Sequence, residues 1–335
     1  MSRRKDIDQL RGVAILLMVM VHSAATWAPS DASTTNLLAL IIAGLGGLAA
    51  PLFVTVGGWV TVQSKWTLRK ALIRFTFLYV AQILVNLSAP QRFDTFSPGV
   101  LTLFALLYLT APLWVRISKN IQATMFLGVG IFTLNHLLLS GHESLDWDDR
   151  TFVGGIFEHV KHLFLTGTYP LLPWILFSLF GASLNNFNPS RRTLLVLGSG
   201  GCSISAYFLY RSIQDKIPYA QPSGEAMLTF FPANTAFLIA ALTGVLLIWA
   251  MFENMDSKIG IHHLGRLSLT LYVIHFIPLS VFSDMDLNLY SASIITLAYT
   301  LLWWPLSVMH QARVPKYSLE NALRSMTEQR KEKGA

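Results

Sequence analysis

Arg4-Lys5-Asp6-Ile7-Asp8-Gln9-Leu10-Arg11-Gly12 runs without a break into Val13-Ala14-Ile15-Leu16-Leu17-Met18-Val19-Met20-Val21-His22. The apolar run continues to Trp27, and at ~1.5 Å of rise per residue a helix over 10–27 approaches the ~30 Å hydrocarbon thickness of a bilayer. Arg11 and His22 then lie roughly 16 Å apart along the axis. That places the arginine near one face and the histidine deep in the apolar layer. An ionisable residue at such depth is costly, and it faces either a protein interior or a water-filled cavity. Two readings fit: a snorkelling arginine with a hydrogen-bonded packing histidine, or a charge and a base that belong to one site.

Working outward, 53% of the 335 residues are hydrophobic, 13% are charged and the mean hydropathy is +0.50, whereas a soluble domain carries roughly a quarter charged residues. The composition predicts an all-α, polytopic integral membrane helical bundle. Apolar runs over 10–27, 37–62, 71–87, 99–115, 121–139, 169–184, 194–210, 231–252, 267–282 and 290–309 give about ten transmembrane helices. The second run contains Gly44, Gly46-Gly47 and Pro51, which predicts a half-helix and a break near Ala49-Ala50-Pro51. Broken helices at membrane depth occur where they line a cavity or are buried in protein. Residues 152–165 mix Phe157, Val160, Leu163 and Phe164 with Glu158, His159, Lys161 and His162, the pattern of a helix lying on the membrane surface.

A net charge of +7 would suggest nucleic acid for a soluble protein, but here it reports orientation, and no nucleic-acid partner is expected. With both termini cytoplasmic, all of the 25 Lys and Arg residues fall on the inner side except Arg92, Arg150, Lys161, Arg211 and Lys216. Asp6, Asp8 and Arg11 interrupt any signal-peptide design, so the first helix is expected to remain uncleaved. The single cysteine, Cys202, offers no intrachain disulfide and no Cys-rich metal site. No metal is expected; His159 and His162, three apart, are too few to hold one. The expected organisation is a transmembrane domain over 1–310 and a charged cytoplasmic tail over 311–335.

Arg4, Asp8, Arg11-Gly12 and His22 together resemble the first helix of the transmembrane acyltransferases, in both acyltransferase family 3 and the heparan-alpha-glucosaminide N-acetyltransferase catalytic-domain family. The Arg11-to-His22 spacing follows the former. Ala50-Pro51-Leu52-Phe53-Val54 leading to Gly57-Gly58, Tyr169-Pro170-Leu171-Leu172-Pro173-Trp174 with Gly181, and Gly265-Arg266-Leu267-Ser268-Leu269-Thr270-Leu271-Tyr272 look more like the latter. Lys316-Tyr317-Ser318-Leu319-Glu320 with Arg324 resembles the closing signature of bacterial relatives. The resemblance implies a membrane acyltransferase at the inner (cytoplasmic) membrane. It would take an acyl group from cytoplasmic acyl-CoA, with acetyl-CoA the first expectation, and pass it to a carbohydrate, glycolipid or other envelope acceptor. Membrane lipids surround it, and a homodimer is compatible with it. The runner-up is a small-molecule transporter, since broken helices and intramembrane charges mark those too.

His22 suits the base that takes a proton from the acceptor as it attacks the thioester, or that itself accepts the acyl group. Asp8 is read as the partner that holds Arg11 or Arg4, or as a helix N-cap. Arg11, Arg69, Lys70 and Arg74 are the cations for the coenzyme phosphates, set against a topology-only reading. His162, Trp174, Asn234 and His275 are the substrate-binding candidates, Trp174 by stacking on a sugar face, each weighed against a packing role. Glu143, Asp146, Asp148, Asp149, Glu158 and His159 form an outer polar cluster that suits either sugar hydroxyls or solvent. In the animal lysosomal members the histidine falls in the loop after the first helix. Residues 23–36 of this chain contain none, so the expectation rests on His22.

Overall fold

The computed structural model describes residues 4–29, 37–139, 146–253, 255 and 260–328. Glu143 and residues 329–335 lie outside them. In chain order the helices are α1 (Lys5–Trp27), α2 (Leu37–Gly46), α3 (Ala49–Thr61), α4 (Leu68–Ser88), α5 (Val100–Leu109), α6 (Ala111–Ile117), α7 (Ile121–Leu134), α8 (Asp148–Thr151), α9 (Ile156–Lys161), α10 (Leu171–Phe187) and α11 (Arg191–Asp215). They continue as α12 (Thr235–Phe252), α13 (His262–Arg266), α14 (Ser268–Ile274), α15 (Phe276–Val281), α16 (Leu289–Arg313) and α17 (Leu319–Glu328). Single π-helical turns extend α7 and α9, and one two-residue parallel pair, Ala220–Gln221 with Leu228–Thr229, is the only strand structure among the described residues. The chain is an all-α polytopic membrane protein.

Seven helices are long and apolar enough to cross a bilayer, and up to nine spans result if each bent pair, α5 with α6 at 73° and 156–166 with α10 at 42°, counts as one. The expected ninth span, 267–282, is shorter: Ser268–Val281, broken at His275. Pro278 explains that break. A proline has no N–H for the Ile274 carbonyl and its ring collides with it, so the first helix must end before a second one starts with Pro278 in its opening turn. Thr110-Ala111-Pro112 breaks α5 from α6 in the same way.

In the second run a two-residue turn, Gly47-Leu48, separates α2 from α3 just before the expected break at Ala49-Ala50-Pro51, yet 41–61 is still one span rather than a half-helix and a separate spanning piece. The turn packs on α1, where a Cβ added to Gly46 would lie 2.5 Å from the Val21 side chain, next to His22. Glycines set two further close crossings. A Cβ on Gly58 would strike the Ser178 carbonyl and one on Gly181 the Thr55 carbonyl, so α3 and α10 meet backbone to backbone, as small residues allow in membranes. A Cβ on Gly12 would strike the Ile261 carbonyl and one on Gly265 the Asp8 carbonyl, which locks α1 against α13.

The segment expected over 152–165 is helical over 156–166. Phe152, Ile156, Phe157 and Val160 are exposed while His159 and His162 are buried, so the apolar side chains point away from the bundle, as a helix bordering lipid requires. At the chain's end, α16 runs on through Gln311 to Arg313, and α17 docks on the bundle.

Candidate functional site

Two places on α1 meet the segment 261–281, one near each end. At the N-terminal end the meeting is ionic. Asp8, 5% exposed, lies 3.6 Å from Arg11 Nη1 and 3.5 Å from Arg266 Nε, so one buried carboxylate holds two guanidiniums. The glycine lock between Gly12 and Gly265 brings the backbones close enough for this. Arg4 pairs with Asp6 instead and lies over the Trp59 ring at 5.2 Å. Of the two partners expected for Asp8, Arg11 is the one the fold supplies, and Arg266, quoted above only as part of a motif, is the second.

Toward the C-terminal end of α1 the meeting is made of two imidazoles. His22 Nδ1 lies 2.9 Å from His275 Nε2, with the rings nearly parallel at 11° and their centroids 5.2 Å apart. His275 is fully buried, and its Nδ1 lies 3.0 Å from the Leu271 carbonyl and 2.8 Å from the Tyr272 carbonyl. Carbonyls only accept, so the neutral His275 carries its proton on Nδ1 and presents a lone pair at Nε2. His22 Nδ1 must then donate across the 2.9 Å contact. This leaves the lone pair of His22 on Nε2, which has no hydrogen-bond partner among the described residues and is not sealed in. A ring nitrogen held in one tautomer by the bond its other nitrogen makes is the arrangement of a general base.

The surroundings fix both rings. Tyr299 Oη donates to the His275 carbonyl at 2.6 Å, Phe276 packs 4.9 Å from the His22 ring, and Trp27 Nε1 donates to the Phe282 carbonyl at 2.7 Å, tying the ends of α1 and α15. Arg92, which the sequence did not mark, donates to Ala25 O and Thr26 Oγ1, both at 3.1 Å, one turn beyond His22. His22 lies five residues before the end of α1, or ~8 Å from it. The histidine is therefore nearer the far end of the span than its middle, because α1 begins at Lys5, six residues before Arg11. Asp8, fourteen residues earlier, lies ~21 Å from His22 along the helix.

The other cations gather on α4. Arg74 lies 5.1 Å over the Trp66 ring and 5.0 Å over the Tyr108 ring, with its Nε buried and without a hydrogen-bond partner among the described residues. Lys70 lies 5.4 Å over Trp66, and Arg69 Nη2 reaches the Met326 carbonyl of α17 at 3.5 Å.

Three substrate-binding candidates prove to be internally committed. His162, buried, has Nδ1 2.8 Å from Thr166 Oγ1, across its own π-turn, and Nε2 3.1 Å from the carbonyl of Phe152, which follows α8, so both nitrogens have partners. Trp174 is fully buried among Tyr169, Phe177, Phe230 and Phe237, with no ring face open to a sugar. Asn234 caps α12, its Oδ1 accepting from Phe237 N at 2.8 Å and its Nδ2 donating to Met227 O at 2.9 Å. Their context explains the difference: each stands beside a helix start or π-turn whose orphan backbone or ring packing needs it. His275 is the fourth, and it serves His22.

The first helix of this membrane bundle thus carries a histidine pair toward one end and clasped cations at the other. Residues 3–198 match the family described as heparan-alpha-glucosaminide N-acetyltransferase, catalytic; the chain belongs to that family and has an acetyltransferase-type function in the membrane. The match takes in Asp8, Arg11, His22 and the α4 cations and ends before Arg266 and His275. The match does not extend to acyltransferase family 3. No curated protein matches the chain.

Proposed function

We propose that the chain moves an acetyl group from cytoplasmic acetyl-CoA to an amine or hydroxyl of a sugar or glycolipid acceptor that arrives from the opposite side of the inner membrane. The observation that carries this reading is the open lone pair of His22 Nε2, oriented through His275. In the reaction, His22 Nε2 takes the proton of the acceptor as its nitrogen or oxygen forms a bond to the thioester carbonyl carbon. The C–S bond then breaks, and the proton passes from His22 to the departing thiolate. Membership of an acetyltransferase family favours this over transport.

Both termini are proposed to be cytoplasmic, on the Lys and Arg distribution. The Asp8–Arg11–Arg266 clasp is then at the inner face and the histidine pair toward the outer one. Arg11, with Arg69, Lys70 and Arg74 on the same side, would meet the coenzyme phosphates. The ~16 Å of helix from Arg11 to His22 is compatible with an extended pantetheine arm. The proposed transmembrane domain over 1–310 supplies this machinery, its last helix α16 runs on to Arg313, and the tail follows. The test is transfer from acetyl-CoA to glucosamine by His22→Ala in detergent, with thermal stabilisation by acetyl-CoA as the folding control. Loss of transfer with binding retained is expected; near-normal turnover would remove His22 from the chemistry.

A further inference from the structure

The tail helix α17 buries none of its residues, yet one of its side chains makes the most concentrated set of bonds at that end of the molecule. Glu320 Oε1 accepts from Leu269 N at 2.6 Å and Thr270 N at 3.1 Å, and Oε2 accepts from Thr270 Oγ1 at 2.6 Å. Thr270 Oγ1 in turn accepts from Leu319 N at 2.9 Å. These are the first N–H groups of α14, which has no side-chain cap of its own. A carboxylate from fifty residues away therefore does what an N-cap does locally, satisfying orphan donors at the positive end of the helix dipole.

What α14 carries at its other end gives this its meaning. The helix has seven residues, a length at which an isolated helix does not hold itself together. It is cut off at Leu267 on one side and by the His275 break on the other, so its placement depends on what grips its ends. At the C-terminal end the grip is His275 itself, whose Nδ1 bonds the Leu271 and Tyr272 carbonyls of the last turn. The strut is ~10 Å long, with the Glu320 carboxylate at one end and the imidazole that orients His22 at the other. The same tail touches the α4 cations through Arg69 and the Met326 carbonyl at 3.5 Å.

We propose that Glu320 is a positioning residue for acetyl transfer, acting through α14 and His275 on His22. The inference rests on the His22 reading above and adds to it a residue on the proposed cytoplasmic tail, far from the reacting atoms. Removing the carboxylate frees the first turn of α14, lets its last turn shift, and turns His275 Nε2 away from His22 Nδ1. Turnover falls while coenzyme binding stays.

The full-length chain is compared as Glu320→Ala, Glu320→Gln, His275→Ala and the Glu320→Ala/His275→Ala double variant, with Arg324→Ala as the tail control. Arg324 pairs only with Glu328 on the exposed side of α17 among the described residues. Two readouts are taken: acetyl transfer from acetyl-CoA to glucosamine, and the rate at which diethyl pyrocarbonate modifies His22, followed by mass spectrometry, which needs no acceptor. Glu320→Ala is expected to lower kcat toward ~10²-fold, the loss a displacement of about 1 Å produces, with the KM for acetyl-CoA little changed. It should change His22 modification in the same direction as His275→Ala. Glu320→Gln, which still offers an oxygen to Leu269 N and Thr270 N, should restore most of both, and Arg324→Ala should alter neither. In the His275→Ala background Glu320→Ala should add nothing. Additive losses, or an unchanged His22 modification rate in Glu320→Ala and in Glu320→Gln, overturn the positioning role. If His22→Ala keeps its turnover, the functional reading fails first and takes this one with it; if His22→Ala is inactive and the losses add, only the role of Glu320 is lost.

Discussion

The helix α1 meets the segment 261–281 twice, and the two meetings are built on opposite principles. At the Asp8 end, backbones touch through Gly12 and Gly265, and every guanidinium that matters is pinned by a carboxylate. At the His22 end the polar contact between the two histidine rings is one hydrogen bond, backed by the packing of Phe276, and one His22 nitrogen is left without a partner among the described residues. The first meeting is closed and fixes how the helices lie; the second is poised on that fixed frame and keeps one valence for a substrate. A catalytic group needs placement within about 0.5 Å, and a rigid crossing ~21 Å away on the same helix supplies it.

The largest effect expected from breaking this pairing is on chemistry. His22→Ala should lose transfer by ~10² to 10⁴-fold, the worth of a positioned general base, while acetyl-CoA still raises the melting temperature. At the other meeting the effect should appear as stability. Asp8→Ala leaves two arginines facing each other without their carboxylate, and about 3 kcal/mol of destabilisation is expected, the low end for a broken buried pair because both guanidiniums reach solvent. Thermal unfolding in detergent reads it, and equal losses of stability in His22→Ala and Asp8→Ala would erase the distinction between the two ends. Arg11→Ala should weaken acetyl-CoA binding by ~1.5 to 3 kcal/mol if its charge bonds a phosphate, as measured by titration calorimetry. Unchanged affinity there would return Arg11 to a purely structural place in the clasp.

The smallest effect concerns histidines without an open nitrogen. Burial holds His162 below the ordinary imidazole value, and burial followed by the nearby His162 does the same to His159. A folded-state value below the unfolded one means that the unfolded segment binds more protons as pH falls. The stability these residues contribute is therefore fully present above about pH 6.5 and lost as pH drops below it. Limited proteolysis within 156–166 should accelerate between pH 7.5 and 5.5, and His162→Asn should flatten that response.

What could be read from the sequence follows the same division. The closed meeting is written in short local strings, Arg11-Gly12 and Gly265-Arg266, and such strings were visible with Asp8 between them in function if not in number. The apolar runs were visible too, since hydropathy over about twenty residues is a local property. His22 was marked by its depth and spacing. Its partner was marked only as one polar residue among several, because 253 residues separate them and no local pattern encodes which face of a broken helix will turn toward α1. His162 and Asn234 bond to neighbours, and the Trp174 ring packs on neighbours, that only the folded chain supplies. Arg92 carries no motif; its position one turn past His22 comes from a loop.

The proline break at His275 has a consequence for how this segment can change length. Each residue inserted in a helix turns everything beyond it by about 100°. One residue added between Ser268 and His275 would swing the imidazole to another side of the strut, and one removed would swing it the opposite way. The stretch 283–288, which joins α15 to α16 beyond the Phe282 carbonyl held by Trp27, has no such phase to keep. Insertions of one residue scanned from 268 to 289 should therefore abolish transfer up to His275 and be accepted after Phe282, so that the reading frame of the dyad ends where the second half of the broken span does.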